Sequence, residues 1–377
     1  IPSRLSIITE PHNGRAACHY CGQCNRSCST HSNFSTPSVL LPPAQKTGNL
    51  TIINNAMVRK VTYSDGKATG VSYVDKTNGK EYKVKSRVVV LAASACESAR
   101  LLLNSKSSDF PNGLANSSGT VGKYLMDSTG TSVAGLIPEL MNMPAHNEDG
   151  TGGAHLYIPW WKDNSNLDFA RGYHVELWGG RGMPSYGFMG GIEGYNDMFR
   201  DDDVKRGGYG KQLKEDYRRY YGSVVGFSGR GESIAYEDNY CEIDPNTVDE
   251  WGIPVLRFNY NWSDQEYKQV KHMQETFREI IDEMGGHAFG EMPDKEDGYG
   301  ITAPGQIIHE VGTTRMGDDP DNSVLNKYCQ AHDVDNLFVA DGGPFVSQPH
   351  KNPTWTILAL SMRTSDYIAD QMNKGNL

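Results

Sequence analysis

Two polar blocks and a glycine turn near the C-terminal end of the sequence combine residue types that could do chemistry. His309 opens the run His-Glu-Val-Gly-Thr-Thr-Arg-Met-Gly, and Asn352 stands in His-Lys-Asn-Pro-Thr. Between them, the apolar run Leu337 to Ala340 leads directly into Asp341 and two glycines, where backbone N–H groups can approach a phosphate or a cofactor rim closely. An imidazole can move protons at neutral pH. The blocks therefore indicate a catalytic site at the edge of a cofactor.

A second set of residues is a cysteine run with the spacing C-x2-C-x2-C-x3-C, formed by Cys18, Cys21, Cys24 and Cys28. Such short gaps let one loop wrap its thiolates around an iron–sulfur cluster. The same run could bind zinc or form disulfides, although bridges between cysteines so close in sequence are geometrically awkward. Ser29 stands where ferredoxin runs have proline, which leaves the cluster type open. The other cysteines, Cys96, Cys241 and Cys329, have no such spacing and are expected as small buried hydrophobes.

Composition limits the classes of partner. The 377 residues can bury a sizeable core, and 36 Lys and Arg against 46 Asp and Glu give a formal net charge of −10. This acidic balance argues against nucleic-acid binding and favours neutral or cationic small molecules. Runs of about eighteen apolar residues are absent from the sequence, so no membrane span is predicted.

The elements that must position these residues can be read from the hydrophobic pattern. A meander of short strands is predicted, followed by a buried parallel strand and a helix: Thr51 to Ile53, Val58 to Tyr63, Gly70 to Asp75, Glu81 to Lys85, Arg87 to Leu91, and the helix Ala95 to Leu103. A long helix begins at a Ser263 and Glu266 capping box and ends at Gly285. The last helix runs from Trp355 to Met372.

The C-terminal blocks resemble the signature of the glucose-methanol-choline (GMC) flavoprotein oxidoreductases. In that family a His from an H-x-x-G-T block and a His or Asn from the last loop face the flavin, and here these positions are His309 and Asn352. The Asn-Pro-Thr form is most similar to the branch with pyranose oxidases, gluconate and glucose dehydrogenases and glucoside 3-dehydrogenases. Thr51 to Val61 and Arg87 to Ser105 are similar to the family's second flavin-binding segment, so the resemblance covers nearly the whole chain.

This resemblance implies a mixed α/β fold (α+β) of the FAD-binding GMC type. The predicted flavin domain comprises residues 51–129 and 301–377, and residues 1–50 form a cysteine-rich segment. Residues 130–300 are predicted to form a substrate domain with an antiparallel sheet. Its aromatic residues could stack on a sugar: Trp160, Trp161, Tyr173, Trp178 and Tyr186.

The resemblance also implies roles for individual residues. His309 would be the base, and Asn352 would orient the substrate hydroxyl, although Asn352 could also act as a helix N-cap and His350 is a second candidate base. Asp341 and Gly342 would bind the ribityl-pyrophosphate. Pro353 and Thr354, beside Asn352, would meet the isoalloxazine ring, and Val58 would touch adenine. Ser94 replaces a glycine usual in the family. Arg315 is expected to pair with Asp318 or Asp319, with a position near the flavin as the alternative.

The dinucleotide-binding fingerprint G-x-G-x-x-G is absent from the sequence, so the N-terminal Rossmann motif of the family is not expected. The glycine-rich runs 179–182 and 207–210 do not follow a buried strand and are predicted to be loops. Ile1 is neither an initiator Met nor part of a signal peptide. We expect a fragment, or otherwise one subunit of a split flavoprotein.

The function expected from these observations is FAD-dependent oxidation of a sugar or glycoside hydroxyl. Electrons would pass through a [3Fe-4S] or [4Fe-4S] cluster at the four cysteines to an external acceptor such as a cytochrome or quinone, and a small accessory subunit could take part. One alternative is a pyranose-type oxidase that uses dioxygen. Another is a non-catalytic subunit. A periplasmic location is expected, with a cytoplasmic one as the alternative.

Overall fold

A computed structural model of the chain describes residues 5–22, 24, 27–144, 156–159, 165–179, 210–220 and 222–377. The strands are β1 Ala56–Ser64, β2 Lys67–Asp75, β3 Glu81–Lys85, β4 Val89–Leu91, β5 Ser132–Leu136, β6 Leu156–Ile158, β7 Tyr173–Trp178, β8 Val224–Gly231, β9 Tyr240–Val248, β10 Pro254–Asn259, β11 His287–Ala288 and β12 Leu337–Val339. The α-helices are α1 Leu41–Lys46, α2 Ala95–Asn104, α3 Gly210–Tyr220, α4 Asp264–Glu283 and α5 Thr354–Asn373.

These elements cluster into two compact units. The first contains residues 1–52, 130–230 and 267–301, and the second contains residues 53–129, 231–266 and 302–377. Residues 231–266, predicted within the substrate domain, fall in the second unit. The reason is that the β9–β10 hairpin contributes Cys241, Ile243 and Leu256 to the core that also buries α2.

The second unit begins with the antiparallel meander β1–β2–β3. Asp65 and Gly66 both have positive φ at the β1–β2 turn, the conformation that a two-residue hairpin requires. The meander predicted from Val58 onward is confirmed, but the strand predicted at Thr51 to Ile53 is wrong. Ile52 and Ile53 are exposed and the described residues offer them no strand partner, so β1 begins only at Ala56.

Strand β4 pairs in parallel with β12, with Leu337 opposite Val89. The helix α2, predicted from Ala95, follows β4 and buries Ala99 and Leu102 in the same core. Since the carboxyl ends of parallel strands meet at one edge, the loops after Leu91 and Val339 lie side by side. Both candidate cofactor segments start at this edge.

The first unit contains a five-stranded sheet in the order β11-β5-β8-β7-β6. The described pairings of β11 with β5, β5 with β8 and β6 with β7 are antiparallel. Helix α4 buries Val270, Met273, Phe277 and Ile281 in the core of this unit. The apolar stripe predicted for this helix is therefore core packing.

The capping box of α4 is also confirmed, because the Glu266 carboxylate accepts hydrogen bonds from Ser263 N–H at 2.9 Å and from its hydroxyl at 2.5 Å. Of the candidate sugar-stacking aromatics, Tyr173 is buried and its hydroxyl oxygen lies 2.8 Å from His272 Nδ1, whereas Trp178 is exposed. Trp160, Trp161, Tyr186 and the interiors of both glycine-rich runs lie outside the described residues. In the described part of the chain, every helix is too short or too polar to cross a membrane.

Candidate active site

The H-x-x-G-T block lies directly beside the turn after β12. Gly312 N–H donates to Gly342 O at 3.0 Å, and Thr314 N–H donates to Gly343 O at 3.2 Å. Gly312 has φ +90°, and a Cβ there would stand 2.2 Å from the carbonyl oxygen of Tyr124. Only glycine fits such a close approach. The glycine of the block therefore lets the His309 segment pack against the candidate cofactor turn.

The structure brings His309 and Asn352 together. The distance between His309 Nε2 and Asn352 Nδ2 is 3.2 Å, and on the other side of the ring His309 Nδ1 lies 3.2 Å from Ser128 Oγ. Helix α5 has Pro353 at its N-cap position and receives no side-chain capping bond, so Asn352 does not cap this helix. Asn352 is exposed while His309 is partly buried. The two predicted catalytic residues thus form one hydrogen-bonded pair that solvent can reach.

Asp127, which the sequence reasoning missed, anchors the segment that carries His309. Its carboxylate accepts hydrogen bonds from the backbone N–H groups of Ser128 at 2.8 Å, His309 at 3.0 Å and Gly305 at 2.9 Å. Between the last two lies Ile308, a β-branched residue at φ +59° whose side chain is 75% exposed. Such a conformation costs about 1–3 kcal/mol and persists only when neighbouring contacts hold it. Asp127 supplies those contacts.

Gln348 was also missed, although it lies in the same final loop as Asn352. It is 2% exposed, and its Nε2 donates to Ser128 Oγ at 2.9 Å and to Pro349 O at 3.2 Å. Neither Asp127 nor Gln348 belongs to a spaced motif in the sequence, so only their placement in the fold could have identified them. His350, the second candidate base, is partly buried in the same loop.

The carboxyl ends of β4 and β12 form an edge whose backbone is open to a ligand. Residues 92–94 follow β4 and are exposed. Ser94 has φ +89° and ψ 162°, a conformation that is essentially restricted to glycine. The backbone therefore keeps the glycine-type geometry that the family resemblance implies, although the residue is serine.

Asp341 itself is turned into the protein. Its carboxylate accepts hydrogen bonds from the Ser98 hydroxyl at 2.5 Å and from Gly343 N–H at 2.7 Å, and the residue is 7% exposed. Burial raises the pKa of this carboxyl, while the hydrogen bonds oppose the rise. Asp341 thus ties the β12 turn to α2, and it is the backbone of this turn that could approach a cofactor.

The remaining predicted cofactor residues lie in different elements. Pro353 is buried and Thr354 is exposed at the first turn of α5, next to Asn352. Val58 lies on β1 opposite Tyr73 and packs partly against the main core of the second unit. Arg315 differs from its prediction. Its guanidinium lies 4.2 Å from the ring centroid of Tyr124, and the described ion pairs do not include Arg315.

A cavity of about 510 Å³ opens beside this edge in the second unit. Its walls include Ser94, Asp127, Tyr260 and Glu310. Burial raises the pKa of Glu310, and the nearby charge of Asp127 adds to the rise. Two buried polar atoms of the same region, Gln348 Oε1 and Thr314 Oγ1, have no hydrogen-bond partner among the described residues. Three features fit the binding of a polar cofactor such as FAD: an exposed loop at the carboxyl end of a parallel strand, a glycine-type backbone conformation and unsatisfied polar atoms.

The four N-terminal cysteines also line one cavity, together with His19 and Thr30, but its volume is only about 20 Å³. Hydrogen bonds from Ser32 and Thr30 lower the pKa of Cys28 to about 6. All seven cysteines are described, and no two of them are joined in a disulfide. Among the described residues, no group of three His, Cys, Asp or Glu side chains is arranged to hold a metal ion. The thiols are gathered, but they are not arranged as a ligand set.

The other three cysteines follow the prediction in part. Cys241 and Cys329 are buried, as expected, and Cys96 is partly buried. The side-chain contact with Cys241, together with burial, raises the pKa of Cys96.

Comparison with known proteins gives two family-model matches, both described as GMC oxidoreductase, at residues 7–129 and 236–361. A 2-methyl-1,2-propanediol dehydrogenase from Mycolicibacterium austroafricanum is 31% identical, over 98% of this chain and 63% of that protein. A gluconate 2-dehydrogenase flavoprotein from Pantoea cypripedii is 27% identical, over 95% and 57%. A paromamine 6'-oxidase from Streptomyces fradiae is 25% identical, over 98% and 62%. The chain thus spans about three fifths of the length of these relatives.

Among solved structures, an Aspergillus oryzae formate oxidase, studied for FAD modification, aligns with a TM-score of 0.61 at 14% identity. The alignment covers 91% of this chain and 64% of that one. At this identity the likeness concerns the fold alone.

Proposed function

The chain belongs to the GMC oxidoreductase family, and from this premise we propose that it oxidises a CH–OH group with FAD as cofactor. Its mixed helix and sheet fold is the one predicted for that family. The observation that carries the proposal is the hydrogen-bonded pair of His309 and Asn352, 3.2 Å apart and open to solvent. Such a pair offers a proton acceptor and an amide donor to one hydroxyl group.

The residues of this chain have separate tasks in the proposed reaction. His309 takes the hydroxyl proton of the substrate at Nε2, and Asn352 donates its amide N–H to the same oxygen as negative charge develops there. FAD, when bound, supplies the acceptor for the carbon-bound hydride. The backbone at Ser94 and Gly342, with Pro353, Thr354 and Val58, would hold the cofactor. Asp341 supports that backbone through Ser98 and Gly343.

For the substrate, we propose a sugar or glycoside hydroxyl, in line with relatives named for gluconate and paromamine. A small diol is a second candidate, because the relative with 31% identity is named as a 2-methyl-1,2-propanediol dehydrogenase. Steady-state rates with a panel of aldoses, glycosides and 1,2-diols at equal concentration would separate the two substrate classes.

The proposed electron route uses Cys18, Cys21, Cys24 and Cys28 as ligands of an iron–sulfur cluster that passes electrons to a cytochrome or quinone. Their spacing and the lowered pKa of Cys28 support this route, since thiolates are the ligands of such clusters. The cavity that the four cysteines line is too small for a cluster, and the described residues do not form a metal-ligand set there. The proposed oxidation of the alcohol does not depend on the cluster. The oxidase named among the relatives favours dioxygen as a second acceptor.

The experiment that tests the catalytic proposal is anaerobic flavin reduction by substrate in the FAD-loaded enzyme. His309→Ala should lower the reduction rate by about 10³-fold, because general-base catalysis typically contributes 10²- to 10⁴-fold, while the flavin absorbance remains. An unchanged rate would remove His309 as the base. Iron and acid-labile sulfide analysis, with peroxide detection during turnover, decides between the two acceptors.

A periplasmic location and an accessory subunit are further proposals, to be tested by cell fractionation and co-purification.

A further inference from the structure

We propose that Ser128 and Gln348 are positioning residues that fix the ring orientation and the tautomer of His309. This inference rests on the proposed role of His309 as the base. Ser128 is fully buried and Gln348 is 2% exposed, so neither contact is with a mobile surface group. They come from two different segments of the second unit and meet at the Nδ1 side of the His309 ring.

The proton positions follow from the hydrogen-bond partners. The Asn352 amide nitrogen carries only donor hydrogens, so His309 Nε2, 3.2 Å away, must be the acceptor. In the neutral ring the proton then sits on Nδ1 and is donated to Ser128 Oγ at 3.2 Å. The substrate hydroxyl would take the place of the Asn352 amide at the single lone pair of Nε2 and would accept the amide N–H on its own oxygen.

Ser128 Oγ is held in place from two sides. Gln348 Nε2 donates to it at 2.9 Å, so Oγ uses its two lone pairs to accept from Gln348 and from His309. The backbone of Ser128 is fixed as well, because Asp127 accepts the N–H groups of both Ser128 and His309. The serine and the histidine are therefore anchored to one carboxylate, and their side chains face each other.

Proton uptake at Nε2 strengthens this arrangement. The imidazolium that forms keeps its Nδ1–H bonded to Ser128 Oγ, and a hydrogen bond from a charged donor is stronger than one from a neutral donor. Without the hydroxyl, Nδ1–H loses this acceptor, and the neutral ring can shift its proton to Nε2, the nitrogen that must accept. The loss should fall on the chemical step, with little change in substrate binding.

The test compares Ser128→Ala with Ser128→Thr, which keeps the hydroxyl, and with Gln348→Leu in the FAD-loaded enzyme. We expect Ser128→Ala to slow anaerobic flavin reduction by about 10- to 100-fold, by analogy with the loss of a group that orients a metal-bound histidine, with KM changed by less than about twofold. Gln348→Leu should have a smaller effect in the same direction, and Ser128→Thr should restore the rate. Ser132→Ala, in the first unit, is the matched control for loss of a serine hydroxyl.

A second readout reports the tautomer directly. In ¹⁵N-histidine-labelled enzyme, the His309 resonances are those missing from His309→Ala, and at neutral ring charge they should show the proton on Nδ1. Ser128→Ala should move the proton population toward Nε2. A proton on Nε2 in the unaltered enzyme, or a full rate in Ser128→Ala, would overturn the inference. If His309→Ala retains flavin reduction, the proposed base itself fails, whatever Ser128→Ala does.

Discussion

The His309 segment and the N-terminal cysteine run both combine reactive side chains, but the fold treats them differently. At His309, backbone groups are bound to Asp127, the ring nitrogens face Ser128 and Asn352, and the neighbouring turn is hydrogen-bonded to Gly312. In the cysteine run the thiols surround a space of about 20 Å³ without forming a ligand set. Motif spacing therefore indicates which chemistry is available, and tertiary contacts decide whether the side chains are positioned for it.

Removing Asp127 should have the largest effect on this comparison. Asp127→Ala leaves the N–H groups of Ser128, Gly305 and His309 without their shared acceptor. Hydrogen bonds to a charged group contribute about 1.5–3 kcal/mol each, but the three contributions are not additive because they share one carboxylate. We therefore expect the free energy of unfolding to fall by about 3 kcal/mol. The flavin-reduction rate should fall by about 100-fold as His309 moves, since misplacement of about 1 Å has such an effect. Thermal unfolding and anaerobic stopped flow measure the two quantities.

Asp127→Asn is the matched variant, because it keeps one acceptor oxygen and turns an amide toward an N–H donor. It should give intermediate losses in both measurements. If Asp127→Ala retains both the stability and the rate of the unaltered enzyme, the His309 segment is held by other contacts, and the contrast with the cysteine run disappears.

The next prediction concerns the cysteine run. Replacing Cys24 and Cys28 by Ser tests the proposed cluster: if the thiols rearrange to bind one, the double variant should lack its iron and sulfide, because thiolates hold such clusters. Turnover with an external acceptor should fall by about tenfold or more, as the route from the flavin is lost, while anaerobic flavin reduction stays within about twofold. Ser29→Ala, in the same loop, is the control. Equal losses in both assays would mean that the cysteines serve the fold, and an iron-free unaltered enzyme would remove the cluster.

The parts of the site differ in how far they can be predicted from the sequence. The parallel strand after Arg87, helices α2, α4 and α5, and the pairing of His309 with Asn352 were predicted, because local periodicity, caps and the family motif specify them. Asp127 and Gln348 were not, since their roles arise from contacts with residues distant in sequence. The inward turn of the Asp341 carboxylate was missed for the same reason, because Ser98 on α2 decides it. The Arg315 guanidinium packs on the Tyr124 ring and does not pair with the nearby aspartates, which its spacing in the sequence does not indicate.

The smallest effect concerns the strained backbone at the cofactor edge. Ser94 stands at φ +89° and ψ 162°, which costs a residue with a Cβ about 1–3 kcal/mol, whereas glycine loses about 0.5–1 kcal/mol through its freer unfolded chain. Ser94→Gly should therefore stabilise the protein by about 1 kcal/mol and raise the midpoint of thermal unfolding by about 2–4 °C.

Ser94→Ala is the control, because it keeps the Cβ and loses only the hydroxyl, and it should give no such gain. If Ser94→Gly and Ser94→Ala weaken FAD retention equally, the hydroxyl contributes to cofactor binding at this edge, and the strain at Ser94 is retained for that contact. If Ser94→Gly alone raises the unfolding temperature and FAD retention is unchanged, the strain at Ser94 does not serve cofactor binding. The contacts around α2 and Asp341 then hold the Ser94 backbone in its strained conformation.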